Sequence, residues 1–260
     1  MAKIIAVCNQ KGGVGKTTTS INLAACLAAA ERKTLVVDMD AQSNATTGLG
    51  IDKNDVELSM YDVITEKTQN GKVVGIYDIR RTIDFMKFLD VAPATPDLAG
   101  AEIELVNTMA REKRLKTVLE TVEKDYDYII IDSPPSLGLL TVNVLTAATS
   151  VLIPVQCEYY ALEGLAELLN TIHLVQKNLN PKLVIEGALL TMYDGRLNLS
   201  REVAQDVRSC FSGKVFDVVI SRNVKLSESP SFGKPIIMYD IMSAGAENYL
   251  TLAKEIMQNE

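Results

Sequence analysis

A lysine, two threonines and three aspartates sit at the ends of apolar stretches in this 260-residue chain, and their types and spacing suit chemistry on phosphate. Gly15, Lys16 and Thr17, inside NQKGGVGKTTTS (9–20), fit the end of the phosphate-loop pattern G-x-x-x-x-G-K-[ST]. Gly12, Gly13 and Gly15 would let backbone N–H groups approach phosphate oxygens closely, and a helix beginning at Lys16 would add the positive potential of its N-terminus. Lys16 would meet the β- and γ-phosphates, Thr17 would offer its hydroxyl to Mg²⁺, and Thr18 would help to hold the α-phosphate. The loop departs from the pattern in two ways. Its first glycine would fall at position 10, which is Gln10, and an additional lysine, Lys11, precedes the glycine pair.

The aspartates lie at the ends of two further apolar stretches. LVVDMDAQ carries Asp38 and Asp40, and YDYIIIDSPP carries Asp132. In open α/β sheets ligands bind beyond the carboxyl ends of the strands. Acids placed there can hold Mg²⁺ through water or position an attacking water.

The elements that must position these groups follow from patterning. Candidate strands are KIIAVC (3–8), TLVVDM (34–39), FLDVAPA (88–94), YIIID (128–132), SVLIPV (150–155), LVIEGALLT (183–191) and KVFDVVI (214–220). Helical patterns lie between most of them, at 16–30, 97–108, 111–123, 160–178 and 198–211. Strands apolar on both faces, alternating with helices, indicate a mostly parallel sheet covered on two sides. The expected fold class is therefore α/β, a single doubly wound sheet with helices on both faces. Residues 1–260 read as one domain, with a variable insertion at about 52–86 in which EKTQNGK is an exposed loop.

Composition narrows the function classes. The formal net charge is −7, which excludes a uniformly basic nucleic-acid coat. Between Arg196 and Lys234, however, Arg196, Arg201, Arg208, Lys214, Arg222, Lys225 and Lys234 face only Glu202, Asp206, Asp217 and Glu228. That segment is +3 against −10 for the remainder, which suggests a local basic surface. MAKIIAVCNQ runs straight into the glycine loop, so no signal peptide is expected, and no apolar run is long enough to cross a bilayer. Cys8, Cys26, Cys157 and Cys210 show no metal-ligand spacing, and Cys8 and Cys157 read as buried small residues. His173, the only histidine, falls on a helical pattern as a surface or packing residue, so a histidine-based triad or zinc site has little to work with.

KGGVGKTT with its extra Lys11 resembles the deviant Walker A motif of the SIMIBI-class P-loop ATPases. VVDMDAQSNATTGLG, IIIDSPPSLGLLTVNVLTAA, IPVQCEYYALEGL and RNVKLSESPSFGKPIIMYD closely resemble the ParA/Soj chromosome- and plasmid-partitioning ATPases, over about residues 3–257. The resemblance implies a slow ATPase that uses ATP and Mg²⁺, forms a homodimer with ATP, binds DNA without sequence preference and is stimulated by a ParB-type partner. It implies that Lys11 reaches phosphates bound by the other subunit. Asp40 would orient the attacking water, Asp38 would support Mg²⁺ through water, and Asp132 would be the Walker B acid. The nucleotide would contact Lys11, Gly12, Gly13, Val14, Gly15, Lys16, Thr17 and Thr18, with adenine near Asn223 and the backbone of Ser221, where many relatives have proline. Arg196, Arg201, Arg222 and Lys225 are the DNA candidates. The expected location is cytoplasmic and nucleoid-associated.

Alternatives remain open at this point. A MinD-like membrane-cycling ATPase would end in a basic amphipathic helix. AENYLTLAKEIMQNE instead has Lys254 against Glu247, Glu255 and Glu260, and reads as a helix packed on the domain. A nitrogenase-type iron protein would need cysteines near the loop, which IDSPPS and DLAGAEIELV lack. A DNA-binding regulator and an ATP-binding scaffold without hydrolysis complete the set.

Overall fold

The computed structural model describes residues 1–158 and 161–258. Tyr159 and Tyr160 of the IPVQCEYYALEGL block and Glu260 of the tail lie outside the described residues. Among the described residues nine strands form: β1 (Lys3–Val7), β2 (Thr34–Asp38), β3 (Thr68–Gln69), β4 (Lys72–Val73), β5 (Arg81–Thr82), β6 (Leu89–Ala92), β7 (Tyr128–Asp132), β8 (Ser150–Gln156) and β9 (Val184–Thr191). Seven of them make one sheet in the order β5-β6-β2-β7-β1-β8-β9. Every pairing is parallel except that of β5 with β6. The central register sets Val7 beside Asp132 and Asp132 beside Asp38, so the three strands that precede the chemistry-bearing loops end at one level.

Successive side chains of a strand point to opposite faces, and a sheet buried on both sides must therefore be apolar throughout. In β1, Ile4 and Ala6 enter one core layer while Ile5 and Val7 enter the other. The first layer is closed by Leu140 and Val144 of the Leu139–Ala147 helix and by Leu168 and Ile172 of the Ala161–Asn178 helix. The second is closed by α1 (Lys16–Ala29) and the C-terminal helix Ala244–Met257. That last helix buries Tyr249, Leu252, Ala253 and Ile256, and Tyr249 meets Thr19 hydroxyl to hydroxyl at 3.1 Å, so the tail packs on the sheet as its composition implied. Cys8, Cys26 and Cys157 are buried, Cys210 is exposed, and His173 is exposed on its helix.

Two strand expectations need correction. KVFDVVI (214–220) is not a strand. It runs beside β9 with main-chain hydrogen bonds at Ala188, Leu190 and Tyr193, but only isolated bridges form. The pairing of β8 with β9 shifts register between Val151 and Leu152, opposite Gly187. A Cβ on Gly187 would come within 2.9 Å of the Phe216 ring, so this bulge is where the segment's aromatic anchor presses onto the sheet. The seventh strand is instead the two-residue β5, from within 52–86, where no periodicity marks it.

The 52–86 segment is built rather than loose. Met60, Val63, Ile64, Val74, Ile76 and Ile79 enter the first core layer. EKTQNGK is exposed and carries the tight β3–β4 hairpin, whose Asn70–Gly71 turn has positive φ at both residues. The 97–108 pattern gives a helix over Leu98–Glu104 followed by a 3₁₀ turn, and 111–123 gives a 3₁₀ turn followed by the Arg114–Leu119 helix. No helical pattern in the sequence covers Leu139–Ala147, because that helix is buried on nearly all sides and shows little period.

Candidate nucleotide site

β1 delivers the loop and α1 receives it. Gly15 immediately precedes α1 with φ 89, a conformation that a side chain would strain. Asn9 braces the entry: its Nδ2 donates to Pro154 O at 2.7 Å and its Oδ1 accepts from Lys11 N at 3.0 Å. From the far side, the Thr191 hydroxyl donates to Val14 O at 2.9 Å across a buried contact. The loop is thus pinned to β8 and β9 through side chains as well as to β1 through the chain.

Gly12, Gly13, Gly15, Lys16, Thr17 and Thr18 line a cleft with Asp40, Gln42, Asn44, Pro135 and Met192. Lys16 Nζ donates to Lys11 O at 3.1 Å, and burial lowers its pKa while Asp132 and Asp40 oppose the change. Thr17 donates its hydroxyl to Asp132 Oδ2 at 2.8 Å, and Ser20 donates to Asp132 Oδ1 at 3.0 Å. Asp132 is fully buried at the end of β7, with Asp38 beside it on β2. Desolvation raises its pKa, and the charge of Asp38 adds to the rise. Asp38 shifts upward for the same first reason, opposed by three donors: Thr46 Oγ1 at 2.7 Å, Thr46 N at 2.8 Å and Asp40 N at 3.1 Å. Asp40 stands forward of both, with Oδ1 accepting from Gln42 N at 3.0 Å.

Three carboxylates therefore lie behind or beside a loop that brings one buried lysine. Thr17 places its oxygen in the cleft and spends its proton on Asp132, which leaves lone pairs for a hard cation. This donor set fits Mg²⁺, which takes few protein oxygens and retains water and phosphate ligands. Thr17 would hold the ion directly, and Asp38 and Asp132 would act through water.

A second cleft, of about 420 Å³, continues from the first and shares Gly15, Thr18 and Met192 with it. Ser221 and Asn223 line it, together with Thr191, Ile220, Arg222, Val224, Leu226 and Tyr249. Asn223 Oδ1 caps the helix Val224–Glu228 by accepting from Lys225 N, and among the described residues its amino group has no acceptor. Ser221 N donates to Asn248 Oδ1 at 3.1 Å.

Two loop residues do not line the phosphate cleft. Val14 is buried, with its carbonyl committed to Thr191. Lys11 lines a neighbouring groove with Gln10, Pro135, Ser136, Leu137, Gly164 and Glu167, which shares Pro135 with the cleft, and its ammonium lies 3.9 Å from Glu158 Oε2. Arg222 reaches the same Glu158 at 3.4 Å.

Of the other basic residues of 196–234, the side chains of all but Lys234 have partners among the described residues. Arg196 is held by Asp194 at 2.7 Å, Lys214 by Glu255 at 3.1 Å and Lys225 by Glu228 at 3.0 Å. Arg201 donates to Asn198, and Arg208 donates to the carbonyls of Phe216 and Asp217. Sequence reading missed Asn9, Ser20, Thr46 and Thr191. Each acts on a partner through the fold, and only Ser20, one turn after Lys16, could have been found from its place on the helix.

A family model described as an AAA domain matches residues 2–185. The chain is 61% identical over 259 residues to the sporulation initiation inhibitor protein Soj of Bacillus subtilis (strain 168), covering 100% of both chains. It is 55% identical over 260 residues to the chromosome partitioning protein ParA of Myxococcus xanthus (strain DK1622), covering 100% of this chain and 89% of that one. Its fold matches a solved structure of cobyrinic acid a,c-diamide synthase from Mycobacterium smegmatis with a bound ATP analogue and magnesium. The TM-score is 0.86 at 36% identity, covering 100% of this chain and 96% of the other. With its loop, its strand-end aspartates and these full-length likenesses taken together, the chain belongs to the Soj/ParA family of chromosome-partitioning P-loop ATPases.

Proposed function

We propose that this protein is an ATP-driven dimerising switch that binds DNA without sequence preference and hydrolyses ATP slowly, under the control of a ParB-type partner. The observation that carries the reading is the continuity of the two clefts. One is lined by the phosphate loop and Asp40, the other by Ser221 and Asn223, and they meet at Gly15 and Thr18. A triphosphate in the first and its adenine in the second would be spanned by one nucleotide. The solved relative with an ATP analogue and magnesium supports the ligand assignment.

In this reading Gly12, Gly13 and Gly15 supply backbone donors, Lys16 leaves Lys11 O for the phosphates, and Thr18 holds the α-phosphate. Magnesium, when bound at Thr17, offsets charge on the β- and γ-phosphates. Asp40 orients the attacking water from the cleft wall, with its own carboxylate held by Gln42 N. Lys11 does not line its own phosphate cleft, as suits a group that acts on the nucleotide of a second copy, and ATP would thereby control dimerisation. Residues 1–260 act as one ATPase domain, with 52–86 as its variable insertion.

DNA contact is assigned to Arg196, Arg201, Arg222 and Lys225, which must exchange their present partners for phosphates. A dimer doubles such a weak surface, so DNA retention follows the nucleotide state. The cytoplasm and nucleoid are the corresponding location. The partner's basic segment would meet an otherwise acidic chain near the dimer seam. DNA binding and association state measured together with ATP, with ADP and without nucleotide test the proposal: both should rise with ATP alone. DNA binding that is equal in all three conditions would refute it.

A further inference from the structure

The cations marked out by the sequence are mostly committed to carboxylates, whereas four others gather around a recess that holds only two aspartates. Lys33, Arg80, Lys87 and Lys124 line a recess of about 480 Å³ with Phe88, Asp90, Asp125 and Tyr126. Lys33 immediately precedes β2, Phe88 precedes β6, and Lys124–Tyr126 lead into β7. The recess therefore lies at the amino ends of the parallel strands, and the phosphate loop lies at their carboxyl ends. A five-residue strand such as β7 rises roughly 17 Å, so the two clefts are distinct.

Its acids are already occupied. Asp90 accepts the Tyr126 hydroxyl at 2.7 Å and lies 3.7 Å from Arg80, and Asp125 accepts the Tyr77 hydroxyl at 2.6 Å. Arg80 Nη1 donates to the Tyr126 oxygen at 3.2 Å and its guanidinium stacks over Tyr77 at 5.2 Å, which fixes its planar fork. Lys87 lies 5.2 Å from the Phe88 ring centroid. Among the described residues, Lys33, Lys87 and Lys124 form no salt bridge. Three lysines and one oriented arginine, against two aspartates, thus line a concavity of a chain whose net charge is −7. Converging like charges repel, and an anion placed between them relieves that repulsion. A fixed guanidinium suits a phosphate's paired oxygens, and ammonium groups serve it as point charges.

We propose that this recess binds a compact phosphate-bearing anion, a mono- or diphosphate group of a small molecule, at a site separate from the phosphate loop. A small ligand fits better than a duplex backbone. The cations surround a hollow floored by the buried Tyr126, and two carboxylates on its wall would oppose a continuous run of phosphates.

The test titrates inorganic phosphate and pyrophosphate, at low ionic strength, into isotope-labelled protein already saturated with Mg·ADP so that the loop is filled. Amide resonances of Lys33, Phe88, Lys124 and Tyr126 should shift saturably, with pyrophosphate the tighter ligand. Exchanging Lys33, Lys87 and Lys124 together for Gln should weaken pyrophosphate by at least about tenfold, through loss of three charges near one ligand, and should leave ADP affinity unchanged. These side chains are exposed, and a thermal transition of the variant equal to that of wild type would establish that its fold is kept. Shifts confined to residues 12–18, no saturation at these four amides, or an unchanged pyrophosphate affinity in the triple variant would overturn the proposal. Saturation by a short DNA duplex but by neither phosphate probe would also overturn it, in favour of a nucleic-acid surface.

Discussion

Thr17 donates its hydroxyl to Asp132 Oδ2 across 2.8 Å, and this bond joins the phosphate loop to a carboxylate that the fold has removed from water. Asp132 stands beside Asp38 in the sheet register, so two acids share one dry place without a matching pair of cations. The site is arranged to favour an incoming positive charge.

One consequence is a pH dependence of the nucleotide-free protein. Burial, then Asp38, raises the folded-state pKa of Asp132 above its unfolded value. The protonated form is thus favoured in the native state, and its stability contribution is lost as pH rises through the folded pKa. Between about pH 4 and 8 the wild-type stability should fall, with a slope of at most about 1.4 kcal/mol per pH unit for one proton. Asp132→Asn should flatten that fall. Parallel pH profiles of the two proteins would count against the assignment.

Thr191 supplies a second prediction. Its hydroxyl holds Val14 O, and Thr191→Val keeps the branched shape while leaving a buried carbonyl without its donor. A loss of about 1 kcal/mol at the loop corresponds to roughly fivefold weaker ATP binding, and Thr191→Ser should restore it. Equal affinities for all three proteins in calorimetry would show that the bond does not position the loop.

Asp40→Ala addresses the chemical step. Asp40 lines the phosphate cleft, while Asp38 and Asp132 are buried behind it. The variant should bind Mg·ATP and dimerise but lose about 10²-fold or more in turnover. Turnover at the wild-type rate would move the water-orienting role to another residue.

The thiols should separate sharply in alkylation. Burial pushes Cys8 and Cys26 up to about 12 and Cys157 to about 11, whereas Cys210 is exposed. Mass spectrometry of the native protein should find one adduct, at Cys210, and four after denaturation. Rapid native labelling of Cys8 would contradict the packed floor of the site.

The loop and the strand-end aspartates were legible because their chemistry is written in contiguous residues, with the apolar strand directly before each. What holds them was not. Thr46, Thr191 and Asn9 act on Asp38, Val14 and Pro154, and only the fold brings such partners together. KVFDVVI has a strand's composition, but it meets β9 across the Gly187 bulge and does not enter the ladder. β5 is too short to carry a period. The positive balance of 196–234 was a count over a segment, whereas Asp194, Glu158 and Glu255, which pair with three of its cations, lie outside that segment.

In the proposed switch Lys11 makes ATP the signal for dimerisation: it is absent from the lining of its own phosphate cleft, and its ammonium lies 3.9 Å from Glu158. Sedimentation velocity of wild type and Lys11→Ala, each saturated with ATP under conditions that block hydrolysis, tests it most directly, with ATP occupancy measured alongside. Wild type should sediment as a dimer with ATP and as a monomer with ADP, and Lys11→Ala should bind ATP yet remain monomeric. An ATP-bound Lys11→Ala protein that dimerises as wild type does would contradict the account.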